Sequence, residues 1–404
     1  MPARPPHIVH VVPALFGDVL GGAERYALEL ARSMARRVPT TLLTFGTRPR
    51  EMMLDRLRVC VLRNWTPIRR LVFDPCNPLM MRMLSRATLV HCHQPETMMA
   101  SIAVLYAKAS GTPIVATHLG GSGYGLHQLF SIDSWFRAHL HISEFSRRHF
   151  GHASASHASV VLGGVDTERF SVAPEAERGR EVLFVGRWLP HKGLDYLVDA
   201  VDRRTPLTVM GSPQAHASAF VGRLRAAAAG KTVTFVERPD DDAVVAAYRR
   251  AMCLVLPSVH RTSDGAEIAI PELLGQTVIE AMACGTPVIA SNVTSLPELI
   301  EDGVTGFVVP PNDSSAIRAR IEWLSANPDS ARAMGTAARS AVLRRFTWDR
   351  VVDRCFDAYA RHAGCGFSVT GVAAPGIRGS RRRLKDDPAA ADSHEGPTIE
   401  SRSQ

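Results

Sequence analysis

Short apolar segments alternate with amphipathic, helix-like segments along most of this chain, and this alternation limits its possible folds more than any other feature. Repeated strand–helix units predict parallel sheets with helices on both faces. One series begins at His7, and a second begins near Glu181. The 404 residues are too many for one ordinary core and suit two domains. We therefore predict two similar, doubly wound α/β domains.

Changes in composition indicate where these domains begin and end. The first is predicted over residues 1–170 and the second over residues 171–347, with residues 171–180 as the linker. Residues 364–404 carry short arginine and aspartate runs among scattered Gly, Pro and Ser. Such a segment buries too little apolar surface to offset the entropy lost on ordering. We therefore predict a disordered tail over residues 364–404.

Cysteine usage and hydropathy favour an intracellular protein. The seven cysteines are odd in number and form no Cys-x-x-Cys pair, which argues against a disulfide framework and against a structural zinc site. The sequence contains no run of about 18 apolar residues that would form a membrane-spanning helix. Its first residues, Met1 to Pro6, lack the apolar region of a signal peptide. We expect a cytoplasmic location.

The net charge of +8 is concentrated in the first half of the chain. Residues 1–170 hold nineteen Lys and Arg against eleven Asp and Glu, whereas the remainder holds twenty-eight of each. One interpretation is peripheral contact with an anionic membrane, or an anionic lipid-linked acceptor. The other is a set of arginine-rich, solvated helix faces. No nucleic-acid partner is predicted, because basic and aromatic residues do not interleave.

Adjacent glycines, Gly21 and Gly22, follow the first predicted strand and open a helix. Backbone N–H groups at such a position can approach a phosphate, helped by the partial positive charge of the helix terminus. The alternative is an ordinary loop-to-helix turn. Neither half has Gly-x-Gly-x-x-Gly after its first strand, which argues against an NAD-dependent dehydrogenase.

Two cations, Arg187 and Lys192, follow the first predicted strand of the second half, Glu181–Val185. We predict that both reach a diphosphate from one loop, Arg187 as a planar fork of donors and Lys192 as a point charge. Cleavage of a sugar–phosphate bond leaves negative charge that such groups stabilise. The alternative is two surface cations in a turn.

Two carboxylates, Glu272 and Glu280, are separated by seven residues. Glu272 is predicted in the loop before a helix over Thr277–Cys284, and Glu280 in the first turn of that helix. A carboxylate can accept hydrogen bonds from both hydroxyls of a ribose. Two alternatives stay open. Glu272 would be a solvated loop acid, and Glu280 would close a capping box with Thr277.

In this order, these motifs resemble those of glycosyltransferase family 4, retaining enzymes of the GT-B fold, in which two Rossmann-like domains face a central cleft. The resemblance covers roughly residues 7–362. It rests on the following signatures: Gly21-Gly22-Ala23-Glu24, Gly164-Val165-Asp166, Gly-Arg-x4-Lys-Gly at 186–193, Glu-x7-Glu at 272–280, Glu-Ala-Met-Ala-x-Gly-x-Pro-Val at 280–288, Leu299-Ile300-Glu301-Asp302-Gly303, and Phe346-Thr347-Trp348.

The resemblance implies that Arg187 and Lys192 hold the donor diphosphate, with the backbone of Gly21 and Gly22 approaching the same phosphate. It implies that Glu280 binds the ribose. The family's last helix, here predicted over 348–362, returns to the first domain.

Around the donor sugar the resemblance implies further roles. Glu272 lies beside the sugar, and the backbone amides of Leu273, Leu274 and Gly275 contact its hydroxyls. His118 lies near the C6 side of the sugar, although a structural histidine at a strand end remains the alternative. The implied catalytic residues are Glu272, Arg187, Lys192 and His118.

The implied reaction retains the anomeric configuration without an enzyme nucleophile. The donor is a UDP- or GDP-linked sugar that acts as substrate, so no cofactor is expected. The acceptor is a hydroxyl of a glycan, a lipid-linked molecule or a small molecule. No metal site is expected, because no Asp-x-Asp motif lies near the donor loops.

Two departures from the family pattern leave the donor sugar open. Gly163 replaces a common asparagine, and Leu274 replaces a common aromatic residue. Three alternative functions share the fold: a nucleotide-sugar epimerase, a glycoside phosphorylase and a non-catalytic scaffold. A phosphorylase is disfavoured, because neither Lys231 nor Lys385 has the context of a pyridoxal-binding lysine.

Overall fold

The computed structural model describes residues 5–15, 22–64, 76–120, 123, 125–129, 131–173 and 178–367. These residues form two parallel-sheet α/β domains, as the alternation of strands and helices predicted. Helices cover the sheets because each carries one apolar stripe; in the first helix, for example, Leu30 and Met34 are fully buried.

The first sheet has eight strands in the order β3-β4-β2-β1-β5-β6-β7-β8. They are β1 (Ile8–Leu15), β2 (Thr40–Gly46), β3 (Arg50–Leu54), β4 (Leu57–Arg63), β5 (Leu89–His93), β6 (Ile114–His118), β7 (Ala138–His141) and β8 (Ala158–Val160). The helices are α1 (Gly22–Ala35), α2 (Met80–Leu84), α3 (Met98–Ser110) and α4 (Glu144–His149). All neighbouring strands run parallel except β3 and β4, which form an antiparallel hairpin at one edge.

The second sheet has six parallel strands in the order β11-β10-β9-β12-β13-β14. They are β9 (Val182–Trp188), β10 (Leu207–Pro213), β11 (Val233–Glu237), β12 (Cys253–Leu256), β13 (Val288–Ser291) and β14 (Phe307–Val309). The helices are α5 (Leu194–Ala200), α6 (Ser218–Ala227), α7 (Asp241–Arg250), α8 (Gln276–Ala283), α9 (Ser314–Ala326), α10 (Pro328–Arg345) and α11 (Trp348–Ala358). The strand order reverses at β9, and sheets of this kind bind ligands at the carboxyl end of that position.

The last helix, α11, packs against α1 of the first domain. The Arg37 guanidinium lies 3.1 Å from a carboxylate oxygen of Asp349 and 2.5 Å from one of Asp353. The ring centroids of Tyr26 and Trp348 are 5.4 Å apart. The polypeptide therefore links the two sheets twice, once between β8 and β9 and once through α11.

The predicted start of the disordered tail is wrong by at least four residues. Cys365 and Phe367 pack against the core, and the ring of Phe367 lies 5.5 Å from that of Phe356. An aromatic residue at 367 still has apolar surface to bury, which the composition of the whole tail conceals. Residues 368–404 lie outside the described part of the chain, as do residues 174–177 of the predicted linker. Among the described helices, none is long and apolar enough to cross a membrane.

Candidate active site

Arg187 and Lys192 lie at the carboxyl end of β9, where the strand order reverses. The prediction that both occupy one loop is wrong, because β9 continues to Trp188 and pairs Arg187 with Ser212 of β10. Lys192 ends a single 3₁₀ turn over Pro190–Lys192. Arg187 is exposed, and within the described residues its guanidinium has no hydrogen-bond or ion-pair partner. Its donors are therefore available to a ligand.

Glu272 is held beside Lys192 rather than solvated, which removes the alternative of a free loop acid. The Lys192 ammonium lies 2.5 Å from Oε1 of Glu272, and the two side chains are only 13% and 11% exposed. The Ser258 hydroxyl donates to the same oxygen at 2.9 Å. Both contacts use Oε1, so Oε2 has no partner among the described residues and can accept a further hydrogen bond.

The backbone after Glu272 presents unused donors. Within the described chain, the N–H groups of Leu273, Leu274 and Gly275 make no hydrogen bond. The carbonyl of Leu273 accepts from Ser143 Oγ of the first domain at 2.9 Å, which fixes the direction of the loop. Gly275 has a φ of +80°, a conformation that favours glycine, and it precedes α8.

The two departures from the family pattern touch each other. The side chain of Leu274 packs directly on Gly163, and a Cβ atom at 163 would lie 2.3 Å from Leu274 Cδ2. Leu274 is 7% exposed. Glycine at 163 and leucine at 274 thus pack against each other, so the two departures affect the same part of the loop that carries Glu272.

Glu280 lies in the second turn of α8, not the first, and it forms no capping box. The helix begins one residue earlier than predicted, and the residue that precedes it, Gly275, makes no side-chain cap. Glu280 is 5% exposed, and it accepts hydrogen bonds from Tyr248 Oη at 3.0 Å and from Gln276 Nε2 at 3.3 Å. Burial raises the pKa of its carboxyl group, while the positive charge of Arg25 acts in the opposite direction.

Arg25 brings the first turn of α1 to the second domain, and nothing in its sequence context predicted a role for it. Its guanidinium lies 2.9 Å from a carboxylate oxygen of Asp241 in α7, and its charge acts on Glu280. Gly22, the first residue of α1, therefore lies on the helix end that approaches Glu280. Among the described residues, no atom lies within 4 Å of a Cβ built at Gly22, so this part of the chain leaves its backbone open to a ligand. Gly21 lies outside the described residues.

His118 ends β6, and within the described residues no hydrogen bond or ion pair joins it to Glu272. Its Nδ1 lies 3.1 Å from Glu96 Oε1, and its Nε2 lies 2.9 Å from His139 Nδ1. Both ring nitrogens are thus occupied, which agrees with a structural histidine at a strand end. The ring also borders a cavity of about 410 Å³, whose polar lining includes Glu96, His127, Gln128, Ser131, Asp133 and His152.

Two buried histidine clusters were not predicted from the sequence. The inner cluster is His10, His91 and His93, and the outer cluster is His118, His139 and His152. Histidines alternate with other residues at 91 and 93 on β5 and at 139 and 141 on β7. Because side chains alternate along a strand, each pair lies on one face of its strand. This alternation was the sequence pattern from which the clusters could have been predicted.

Replacing Gly193 with alanine is expected to lower the free energy of unfolding by about 3 kcal/mol, because left-handed backbone strain adds to a steric clash. Gly193 has a φ of +65°, and a Cβ atom there would lie 2.0 Å from the Pro257 carbonyl oxygen. Urea unfolding monitored by circular dichroism measures the change. Gly222→Ala in α6 is the matched control, because its Cβ would meet no atom of the described residues within 4 Å. Equal stability of the two variants would contradict the close approach of Pro257 to Gly193.

Known proteins are similar to this chain in sequence and in architecture. A family model described as Glycosyl transferases group 1 matches residues 165–341, and one described as Glycosyltransferase Family 4 matches residues 20–169. A phosphatidyl-myo-inositol mannosyltransferase of Mycobacterium leprae is 28% identical over 87% of this chain and 96% of its own length. A D-inositol 3-phosphate glycosyltransferase of Streptomyces bingchenggensis is 32% identical over 53% of this chain and 49% of its own length.

The solved structure of Anabaena HepE in complex with UDP and glucose superposes with a TM-score of 0.67 at 17% identity, over 88% of this chain and 99% of that one. The predicted GT-B fold is therefore confirmed. The matching families and the named relatives also confirm the prediction of a hexosyltransferase-type enzyme.

Proposed function

Because the chain belongs to glycosyltransferase family 4, we propose that it transfers a hexose from a UDP- or GDP-linked donor to a hydroxyl group, with retention of configuration and without a metal ion at the diphosphate. One observation carries this proposal. Glu272 Oε2 and the amides of Leu273, Leu274 and Gly275 are unpaired hydrogen-bonding groups on one loop beside Lys192, as far as the described residues extend. Such a row of acceptor and donors suits the hydroxyls of a sugar.

The donor diphosphate is assigned to Arg187 and Lys192. Within the described part of the chain Arg187 has all its donors available, whereas Lys192 already pairs with Glu272 at 2.5 Å. A bound diphosphate would share the ammonium with Glu272, so Lys192 would link the phosphate to the residue beside the sugar. The end of α1 at Gly22 supplies further donors, and Glu280 is assigned to the ribose.

Retention of the anomeric configuration without an enzyme nucleophile agrees with the contacts that hold the Glu272 carboxylate. A carboxylate whose Oε1 receives both an ammonium and a hydroxyl is a weakened nucleophile, and it suits hydrogen bonding and electrostatic stabilisation better. We propose that the acceptor hydroxyl attacks from the face that the diphosphate leaves. The departing phosphate oxygen takes the proton of that hydroxyl.

The acceptor is proposed to bind in the cavity beside His118. Carboxylate, amide, hydroxyl and imidazole groups line it, and this mixture of donors and acceptors suits a polyhydroxylated ring. The two named relatives act on inositol-containing molecules according to their names. We therefore favour an acceptor that carries a sugar or cyclitol, either free or lipid-linked.

Peripheral membrane contact is also proposed, and the excess of nineteen Lys and Arg over eleven Asp and Glu in residues 1–170 supports it. Co-sedimentation with vesicles containing phosphatidylserine, compared with neutral phosphatidylcholine vesicles at low and high salt, tests it. Equal binding to both vesicle types would reject this contact.

Thermal shift with UDP, GDP and their common sugar conjugates tests donor binding. Stabilisation by one nucleotide class is expected, and stabilisation by none would overturn the proposal. Incubation with the stabilising donor alone separates transfer from epimerisation, since an epimerase isomerises the donor sugar without an acceptor. NMR of the anomeric proton of the product, with and without a chelator, tests retention and metal independence.

Glu272→Gln is expected to lower kcat roughly 100-fold, because the amide cannot stabilise positive charge on the sugar in the transition state. Glu267→Gln is the matched control, since Glu267 is an exposed acid of the preceding loop. Donor Kd by calorimetry and kcat by product formation are measured for both variants. Full activity in Glu272→Gln would favour the non-catalytic scaffold or another catalytic acid.

A further inference from the structure

The outer histidine cluster lies within the first domain, outside the donor loops. One nitrogen from each of His118, His139 and His152 falls within a group whose members are all within 4.8 Å of one another. The three residues are 3%, 0% and 6% exposed. His118 and His152 also border the cavity proposed for the acceptor. The cluster is therefore enclosed by protein on one side and reached from the cavity on the other.

Hydrogen bonds fix the protons of two of these rings. His139 Nε2 lies 3.0 Å from the carbonyl oxygen of Asp133, so this nitrogen carries the proton and donates. His118 Nδ1 lies 3.1 Å from the Glu96 carboxylate and likewise donates. In the neutral rings, His139 Nδ1 and His118 Nε2 are then both lone pairs, and they face each other at 2.9 Å. Two lone pairs at this distance repel unless a cation lies between or beside them.

A metal ion bound by both nitrogens would remove this repulsion. Neutral imidazole is the form that binds metal ions. The contacts of His139 with a carbonyl and of His118 with a carboxylate are those that orient metal-bound histidines.

Two buried atoms at the cluster lack a partner. Among the described residues, neither His152 Nε2 nor Glu96 Oε2 makes a hydrogen bond. Leaving a buried polar atom unpaired costs about 1–3 kcal/mol, so native structures rarely do so. His152 Nε2 is thus available as a third ligand when His152 Nδ1 donates to His141 Nε2, which lies 2.9 Å away.

We propose that His118, His139 and His152 bind one divalent transition-metal ion, with Zn²⁺ as the best match and a coordination position open to the cavity. Three imidazoles with an open position suit Zn²⁺ and are unsuited to Mg²⁺ or Ca²⁺, which prefer oxygen ligands. Glu96 orients His118 rather than binding the ion through Oε1. This site was not expected from the sequence, because the expectation of no metal rested on the donor loops and the cysteines alone.

The test uses the full chain without a polyhistidine tag, freed of metal by a chelator. Calorimetric titration with Zn²⁺ is expected to show about one ion per chain. Titration with Co²⁺ is expected to produce visible absorption bands typical of a low-symmetry, four- or five-coordinate site. Mg²⁺ is expected to give no signal. Absence of Zn²⁺ and Co²⁺ uptake would overturn the proposal.

Variants assign the ion to the cluster. His152→Gln is expected to weaken Zn²⁺ binding at least about 100-fold, and Glu96→Gln about 10-fold, because ligands and their orienting partners contribute differently. The control is His149→Gln, an exposed histidine that ends α4, which is expected to bind as the original chain does. Circular dichroism identifies any variant that fails to fold. If His152→Gln is unfolded, the Zn²⁺ affinity of Glu96→Gln tests the proposal instead. Undiminished binding in the folded variants would place the ion elsewhere, for example at the inner cluster, and reject this site.

Discussion

Arg187→Ala is expected to lower kcat/KM about 100- to 1,000-fold while leaving the fold intact. Removing one charged donor from developing negative charge typically has this effect. The guanidinium has no partner among the described residues, so its loss breaks no contact of the unliganded protein. Lys192 cannot replace it, because its ammonium is already 2.5 Å from Glu272 and carries one charge for two acidic groups.

Initial rates with the donor identified by thermal shift measure this effect, and calorimetry gives the Kd of the nucleoside diphosphate product. We expect kcat/KM to fall and the Kd of the nucleoside diphosphate to rise, because the diphosphate is negatively charged in the product as well. Arg344→Ala, an exposed arginine near the end of α10, is the matched control and is expected to match the original chain. If Arg187→Ala keeps its full kcat/KM, the diphosphate site lies elsewhere.

Lowering the pH from 6.5 to 5 is expected to cost about 2 kcal/mol of folding stability for each histidine of the inner cluster. Burial lowers the pKa of His10 to about 3, and it lowers the pKa of His91 and His93 well below 6.5. The unfolded chain therefore binds more protons than the folded chain throughout this window. The stability that these neutral histidines contribute is fully present above pH 6.5, and it is lost as the pH falls towards their pKa values in the folded state.

The inner cluster has few ways to relieve this cost. His10 Nδ1 lies 3.0 Å from His93 Nε2, and His91 Nδ1 lies 2.7 Å from the Tyr359 hydroxyl. Neither contact brings a carboxylate that would stabilise an imidazolium. Three such residues together account for about 6 kcal/mol, which is comparable to the whole stability of many domains. We expect cooperative acid unfolding well above the pH at which carboxylates titrate.

Urea unfolding at pH 7.5, 6.5 and 5, with a chelator present, measures this dependence. His10→Gln keeps a hydrogen-bonding group but cannot titrate, so its stability is expected to vary less steeply with pH. His149→Gln is the control, because His149 is exposed and lies outside the inner cluster. A free energy of unfolding that stays constant across this range would show that the inner histidines are protonated or solvated in the folded state.

The strands were predictable because most are short apolar runs buried on both faces, as in Cys253–Leu256. The hairpin of β3 and β4 was not predicted, because Arg50–Leu54 is a mostly exposed edge strand whose apolar residues, 52–54, are only partly buried or exposed. β9 was predicted too short, since its last three residues are strand only through pairing with β10. Such pairing is a long-range contact that local composition does not report.

In the candidate site, too, local features were predictable and long-range contacts were not. The chemical groups could be predicted from spacing, because Gly-Arg-x4-Lys-Gly and Glu-x7-Glu are local patterns. The residues that these groups contact could not be predicted. The pairing of Lys192 with Glu272 joins residues eighty positions apart, and the contact of His118 with His139 joins residues twenty-one apart. The position of Glu280 within its helix was wrong by one residue, because the helix begins at Gln276, directly after Gly275 with its φ of +80°, and not at Thr277.

The contact of Gly163 with Leu274 has a consequence for substitutions at either position. The asparagine common in the family cannot return at 163 while Leu274 keeps its place, because even the first side-chain atom would lie 2.3 Å from Leu274 Cδ2. An aromatic residue at 274 would in turn need space that Leu274 and Gly163 now share. The two positions are therefore coupled, because any side chain at 163 requires Leu274 to change its rotamer or move.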